Sequence, residues 1–116
     1  MSSSVTVVVV AYNHGAFLRQ AIESVLHQTQ HVDKTIIINN GSSDLTDVIA
    51  REYLDLYYPY IEYYSYTHNR GQLVAFNRGL ELAKTDFTCF LDADDELDHT
   101  YIAKTIHAFS QDSHAV

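Results

Sequence analysis

The stretch Phe87-Thr88-Cys89-Phe90-Leu91-Asp92-Ala93-Asp94-Asp95-Glu96 changes character at its middle. Phe87 to Leu91 is an apolar run of strand length and reads as a buried strand. Asp92, Asp94 and Asp95 then place three carboxylates within four positions. A strand that ends in acids delivers them to the carboxyl edge of a sheet, where open α/β sheets bind ligands. Carboxylates this close repel one another unless a cation sits among them. Oxygen ligands with no paired His or Cys favour Mg²⁺ or Mn²⁺, typically shared with a substrate phosphate. The same residues also suit a solvated acidic loop capping the next helix, since Asp is favoured at N-caps and in first turns. What lies upstream favours the metal.

Upstream, apolar runs of strand length alternate with amphipathic segments of helix length. Val5 to Val10 is β-branched and apolar almost throughout, as a central parallel strand buried on both faces requires. Ala16 to Gln28 carries a helical apolar stripe of Phe17, Leu18, Ala21, Ile22, Val25 and Leu26. Thr35 to Ile38 is a second strand, ending in the turn-forming Asn39-Asn40-Gly41-Ser42-Ser43-Asp44, which also supplies an N-cap. A helix from about Leu45 to Tyr57 is stopped by Pro59. Ile61 to Tyr66 is the third strand and His68 to Gly71 a loop. Gln72 to Lys84 is a helix with Leu73, Ala75, Phe76, Leu80 and Ala83 apolar, and Thr100 to Phe109 is the last helix. The alternation predicts an α/β fold: a parallel, Rossmann-like sheet with right-handed crossovers and helices on both faces. The strand order is predicted as 3-2-1-4, with the valine run central and Ile61–Tyr66 at an edge. His114-Ala115-Val116 reads as the start of a fifth strand.

A chain of 116 residues suits one domain with one core. Its formal charge of −8 argues against nucleic-acid and anionic-membrane partners, both of which need a basic face. An anionic substrate remains compatible if a cation accompanies it. Cys89 is the sole cysteine and sits mid-strand, as a buried inert thiol would. The longest apolar run, Val7 to Tyr12, is far too short to span a bilayer, and Met1-Ser-Ser-Ser lacks the features of a signal peptide. The reading is a soluble, cytoplasmic domain.

Three strand ends carry polar clusters: Ala11-Tyr12-Asn13-His14, Asn39-Asn40-Gly41-Ser42 and Asp92-Ala93-Asp94-Asp95. In a parallel sheet these converge on one edge, and together they resemble a nucleotide site, with an aromatic and amides for base and ribose and acids for a metal on phosphate. A dinucleotide-binding oxidoreductase would need a Gly-rich first turn, whereas Tyr12-Asn13-His14-Gly15 has one glycine. His27 and His31 have metal-ligand spacing, but the helix ends near Thr29 and no third ligand is in view, so they read as solvated. Seven tyrosines between Tyr53 and Tyr66 read as an aromatic edge strand and helix face with hydroxyls in water; the sharper alternative is a contact surface for a partner subunit, as in a dimer, or for a further segment of the longer chain.

The arrangement resembles the nucleotide-binding half of family 2 of the GT-A glycosyltransferases. The family's opening V-S-V-I-I-P-x-Y-N corresponds to Val5-Thr6-Val7-Val8-Val9-Val10-Ala11-Tyr12-Asn13. Its L-x-x-A-I-x-S-V-L-x-Q-T corresponds to Leu18 through Thr29, and its D-D-G-S-x-D to Asn39-Asn40-Gly41-Ser42-Ser43-Asp44. Its N-x-G and A-R-N-x-G appear as Asn69-Arg70-Gly71 and Ala75-Phe76-Asn77-Arg78-Gly79, and its L-D-S-D-D as Leu91-Asp92-Ala93-Asp94-Asp95. These motifs occur in order from Val5 to Asp95, nearly the whole chain.

The resemblance implies an inverting enzyme that moves a sugar from a nucleotide-diphosphate sugar, a UDP-sugar foremost, in surface polysaccharide or glycan synthesis. It implies that Tyr12 packs on the base with Ala11 and Asn13 lining that wall. Asn39 meets the base edge, and Arg70 the far side of the base or a phosphate. Asp92 contacts the ribose or stands behind the metal, and Asp94 ligates the Mg²⁺ or Mn²⁺ that bridges the diphosphate. Asn40 and Ala93 complete the nucleotide-binding set. Three positions depart from the pattern: Val10 replaces a Pro, Asn39 an Asp that accepts a hydrogen bond from the base, and Phe76 a frequent Arg. The family's catalytic base and its segments for a glycan or lipid-linked acceptor lie beyond the fourth strand. Residues 1–116 are therefore read as a piece of a longer enzyme, inactive alone, whose full length associates with the cytoplasmic face of the membrane. The alternative is a non-catalytic nucleotide- or metal-binding module, or an inactive relative.

Overall fold

The computed structural model describes residues 3–111, so the strand read at His114–Val116 lies outside the described residues. Eight elements alternate: β1 (Val5–Ala11), α1 (Gly15–Leu26), β2 (Lys34–Asn40), α2 (Thr46–Tyr57), β3 (Ile61–Tyr66), α3 (Gln72–Leu82), β4 (Phe87–Asp92) and α4 (Tyr101–Gln111). The four strands form one parallel sheet in the order β3-β2-β1-β4, as expected. The central β1 is buried at every residue.

The two faces of β1 point into two cores. Val5, Val7, Val9 and Ala11 pack with Leu18, Ala21, Ile22 and Val25 of α1, Ile49, Ala50 and Tyr53 of α2, and Ile102 of α4. Val8 and Val10 pack with Ile36, Ile38 and Ala75 in a smaller cluster covered by α3. This division follows from right-handed crossovers, which put α1 and α2 on one face and carry α3 over the other on its way from β3 to β4. The buried side of α3 consists of Ala75 and Gly79, while Leu73 and Leu80 are exposed. A Cβ on Gly79 would overlap the Val8 side chain, so the missing side chain sets how closely α3 lies on the sheet.

The structure corrects two expectations. Phe87–Leu91 is not a buried strand: only Leu91 in it is buried, and Phe90 is 45% exposed. Among the described residues it is the outer strand of the sheet, and the Phe90 and Phe76 rings meet edge to face with their centres 5.3 Å apart. Three of the clustered tyrosine hydroxyls reach carboxylates rather than water: Tyr53 donates to Glu23, Tyr63 to Asp47 and Tyr64 to Glu62. Burial pushes the Cys89 thiol up, consistent with an inert side chain. No helix among the described residues is long and apolar enough to cross a membrane.

Candidate functional site

The sheet register brings the three polar clusters together. Val10 pairs with Asp92 on one side and Ile38 on the other, Ala11 with Asn39, and Asn40 with Tyr66. A cleft of about 260 Å³ opens at this edge, lined by Val10, Tyr12, His14, Asn40, Asn69, Gly71, Gln72 and Asp92. Larger clefts lie elsewhere: two of about 480 and 510 Å³ against the carboxyl-terminal half of α1, the second also lined by Glu96 to His99, and one of about 430 Å³ beside Thr6, Lys34 and Glu62.

One wall is built from the β1–α1 turn. Asn13 adopts a left-handed backbone with φ of 52°, which Asn tolerates better than most residues. It is held there from both ends: its N–H donates to Ser42 Oγ at 2.9 Å, and its Oδ1 accepts from Ser43 N–H at 2.8 Å. Tyr12, 43% exposed, is left free to present its ring to a ligand. Asp44 joins the same two turns, accepting from Gly15 N–H and from Thr46 N–H, both at 2.9 Å. Burial pushes its carboxyl up, but the Thr46 and Gly15 hydrogen bonds outweigh this and hold it below the usual range.

The floor is amide chemistry turned inward. Asn39 donates from Nδ2 to the Tyr63 hydroxyl at 2.9 Å and accepts at Oδ1 from Ser42 N–H at 3.0 Å. Asn40 accepts from Arg70 N–H at 2.9 Å and donates to Asn69 Oδ1 at 3.0 Å, fastening the 68–71 loop to the end of β2. Both asparagines are buried, Asn39 behind the cleft and Asn40 in its lining. Gly41 has φ of 79°, and a Cβ there would collide with the His68–Asn69 backbone, so this approach requires glycine. The Arg70 guanidinium lies 4.8 Å from the centre of the Tyr66 ring, a cation–π contact that fixes it beside the site.

The acidic end of β4 forms the other wall. Asp92 Oδ2 accepts from Gln72 Nε2 at 2.6 Å, and its Oδ1 lies 3.6 Å from His14 Nδ1. Ala93 is fully buried and donates its N–H to the Val10 carbonyl at 2.9 Å, while Asp95 N–H closes a turn onto the Asp92 carbonyl. Asp94 is exposed within this turn. Among the described residues, His14, Asp92 and Asp94 form the group of donors able to hold a metal ion, their ligand atoms within 4.8 Å of one another. His27 and His31, by contrast, have side chains 74% and 71% exposed and join no such group.

The predicted residues thus divide. Tyr12, Asn40 and Asp92 line the cleft, Asp94 stands in the donor group, and Asn13 and Arg70 are tied to its rim by the bonds above. Ala11, Asn39 and Ala93 are buried behind them. Sequence reasoning missed His14 and Gln72. The signal for His14 was its place in the first polar cluster, on the strand that parallel pairing sets beside Asp92. Gln72 opens α3 and carried no comparable sign.

A family model described as glycosyl transferase family 2 matches residues 6–116. Over 96 residues the chain is 38% identical to the uncharacterized glycosyltransferase YibD of Escherichia coli K12, covering 83% of this chain and 27% of that one. The fold matches S. aureus TarS 1–349, solved in complex with UDP, with a TM-score of 0.81 and 18% identity over 95% of this chain and 33% of that one. It also matches a mannosyltransferase from Pyrobaculum calidifontis, solved in complex with GDP-Man and Mn²⁺, with a TM-score of 0.85 and 20% identity over 95% and 33%. The chain therefore spans only about a quarter to a third of the length of these proteins. With the GT-A architecture in place and the family model matched along nearly its whole length, the chain belongs to glycosyl transferase family 2.

Proposed function

We propose that this chain is the nucleotide-binding portion of an inverting glycosyltransferase that takes its sugar from a nucleotide-diphosphate sugar and builds a surface glycan. The observation that carries this reading is the convergence of His14, Asp92 and Asp94 at the mouth of a cleft lined by Tyr12 and Asn40. Two structural neighbours, TarS with UDP and the mannosyltransferase with GDP-Man and Mn²⁺, are consistent with it. On this reading Tyr12 stacks on the base between Ala11 and Asn13, while Asn39, Asn40 and Ala93 hold the floor in register. Arg70, steadied by Tyr66, faces the base or a phosphate, and Asp92, braced by Gln72, faces the ribose and the cation. Asp94 is the principal carboxylate for Mg²⁺ or Mn²⁺. An exposed carboxylate beside a braced one fits such ions, which take one or two protein oxygens and complete their shell with water and phosphate. The cation would neutralise charge on the departing nucleoside diphosphate. Acceptor binding and the catalytic base are assigned to the part of the longer relatives that this chain does not match, so residues 1–116 alone bind nucleotide without transferring sugar.

Calorimetric titration of UDP with Mn²⁺ tests this. Asp94→Asn abolishes metal-dependent binding, whereas Asp98→Asn, whose carboxylate is turned to the Thr100 hydroxyl at 2.6 Å, changes little. Wild-type binding by Asp94→Asn refutes the role of Asp94, and equal loss in both variants reduces the cluster to general acidity.

A further inference from the structure

We infer that His14 is a direct ligand of the cation in this site and biases it towards Mn²⁺ over Mg²⁺. The inference deepens the nucleotide-and-metal reading above and rests on it. Three observations carry it. The first is spacing: two donors that bind one ion at about 2.1–2.2 Å lie roughly 3.0–3.7 Å apart at angles of about 90–120°. His14 Nδ1 and Asp92 Oδ1 are 3.6 Å apart, too far for a good hydrogen bond and within that span.

The second is that, among the described residues, the ring has no strong competing partner. The contact at Nδ1 is a long one, from Tyr12 N–H at 3.4 Å, and the side chain is only 24% exposed. The third is preorganisation. Asn13 is pinned in its left-handed conformation by Ser42 and Ser43, and the His14 carbonyl accepts from Phe17 and Leu18 N–H, both at 2.9 Å. The backbone that carries the imidazole is therefore fixed on both sides. Gln72 performs the same service for Asp92 by occupying Oδ2 and leaving Oδ1 towards the histidine.

The chemistry of the donor set follows. Carboxylate and phosphate oxygens alone suit Mg²⁺ and Mn²⁺ alike, but an imidazole nitrogen is a poor ligand for hard Mg²⁺ and a better one for first-row transition ions. Replacing one oxygen in the shell by nitrogen thus costs Mg²⁺ affinity more than Mn²⁺ affinity.

The test is Mn²⁺ binding in the presence of UDP, read by electron spin echo envelope modulation, which detects a nitrogen coordinated directly to Mn²⁺. The wild-type Mn²⁺–UDP complex shows imidazole modulation. His14→Gln keeps a polar side chain of similar reach, loses the modulation and narrows the Mn²⁺/Mg²⁺ affinity ratio by about tenfold. His27→Gln, altered on an exposed ring, leaves both unchanged. Wild-type Mn²⁺–UDP binding without nitrogen modulation, or an unchanged ratio in a folded His14→Gln, overturns the assignment while the nucleotide reading stands. Absence of any metal-dependent UDP binding by the wild-type chain removes both.

Discussion

Removal of one hydroxyl, in Tyr63→Phe, tests whether the floor of the cleft is held as described. The Tyr63 hydroxyl donates to Asp47 Oδ1 at 2.6 Å and accepts from Asn39 Nδ2 at 2.9 Å. Asn39 is 3% exposed, so its orphaned N–H finds no water, and a buried donor without a partner costs about 1–3 kcal/mol. The bond to Asp47 adds little, because that side chain is 45% exposed and keeps its ion pair with Arg51. The expected loss is therefore about 2 kcal/mol. An unfolding entropy of roughly 2 cal/mol/K per residue over 116 residues converts this to a fall in Tm of about 8 °C. Calorimetry or urea denaturation measures it. Adding Asn39→Ala removes the orphaned donor, so the double variant should lose less than the sum of the single losses, with a coupling of about 1 kcal/mol. A fall of under about 2 °C, or strict additivity, would refute the reasoning, because the Asn39 amide would then have another partner.

Two further outcomes follow from the same geometry. Gly79→Ala lowers stability by about 1–2 kcal/mol in urea denaturation, since overlap with Val8 outweighs the gain in helix propensity; a stabilised variant would mean that α3 lifts freely from the sheet. Burial, and then the bond to Asp47, push the Tyr63 phenol up from 10.0 to about 12. A pKa raised on folding gives stability that is intact below pH 10 and lost as pH rises through about 12, so the urea midpoint of wild type should fall more steeply across that window than that of Tyr63→Phe.

What was legible in the sequence was whatever depends on local pattern and on the handedness of the crossovers. The valine run of β1 announces a strand buried on both faces, and once the order 3-2-1-4 follows, the ends of β1, β2 and β4 must share an edge. What was not legible depends on a neighbour. Phe87–Leu91 has the composition of a buried strand, yet its exposure is set by what flanks it, which its own residues do not encode. Asn39 sits in a run of turn formers, but its partner Tyr63 stands on the next strand, and only register joins them. Gly79 looks like a flaw in a helix until Val8 is found against it. His14 fell between these cases: its strand end was placed, but its distance from Asp92 was not.

The electrostatics of this edge tie metal and nucleotide to each other. Asp92, Asp94 and Asp95 crowd one end of β4 in a chain of formal charge −8, and Arg70 brings one positive charge from the facing loop. A diphosphate approaching these acids without a cation meets repulsion, and a cation without the diphosphate finds only a partial shell, because Asp92 is half committed to Gln72. On the proposed reading each ligand thus supplies what the other lacks, and linkage requires that each raise the affinity of the other by the same factor. The braced residues, Asn13, Asn40 and Asp92, then fix where the two ligands meet, while Asp94, exposed at the rim, offers a ligand atom within 4.8 Å of those of His14 and Asp92. The carboxylates already converge without a cation, so the free protein keeps their repulsion, weakened by solvent because Asp94 is exposed, and a bound cation cancels it.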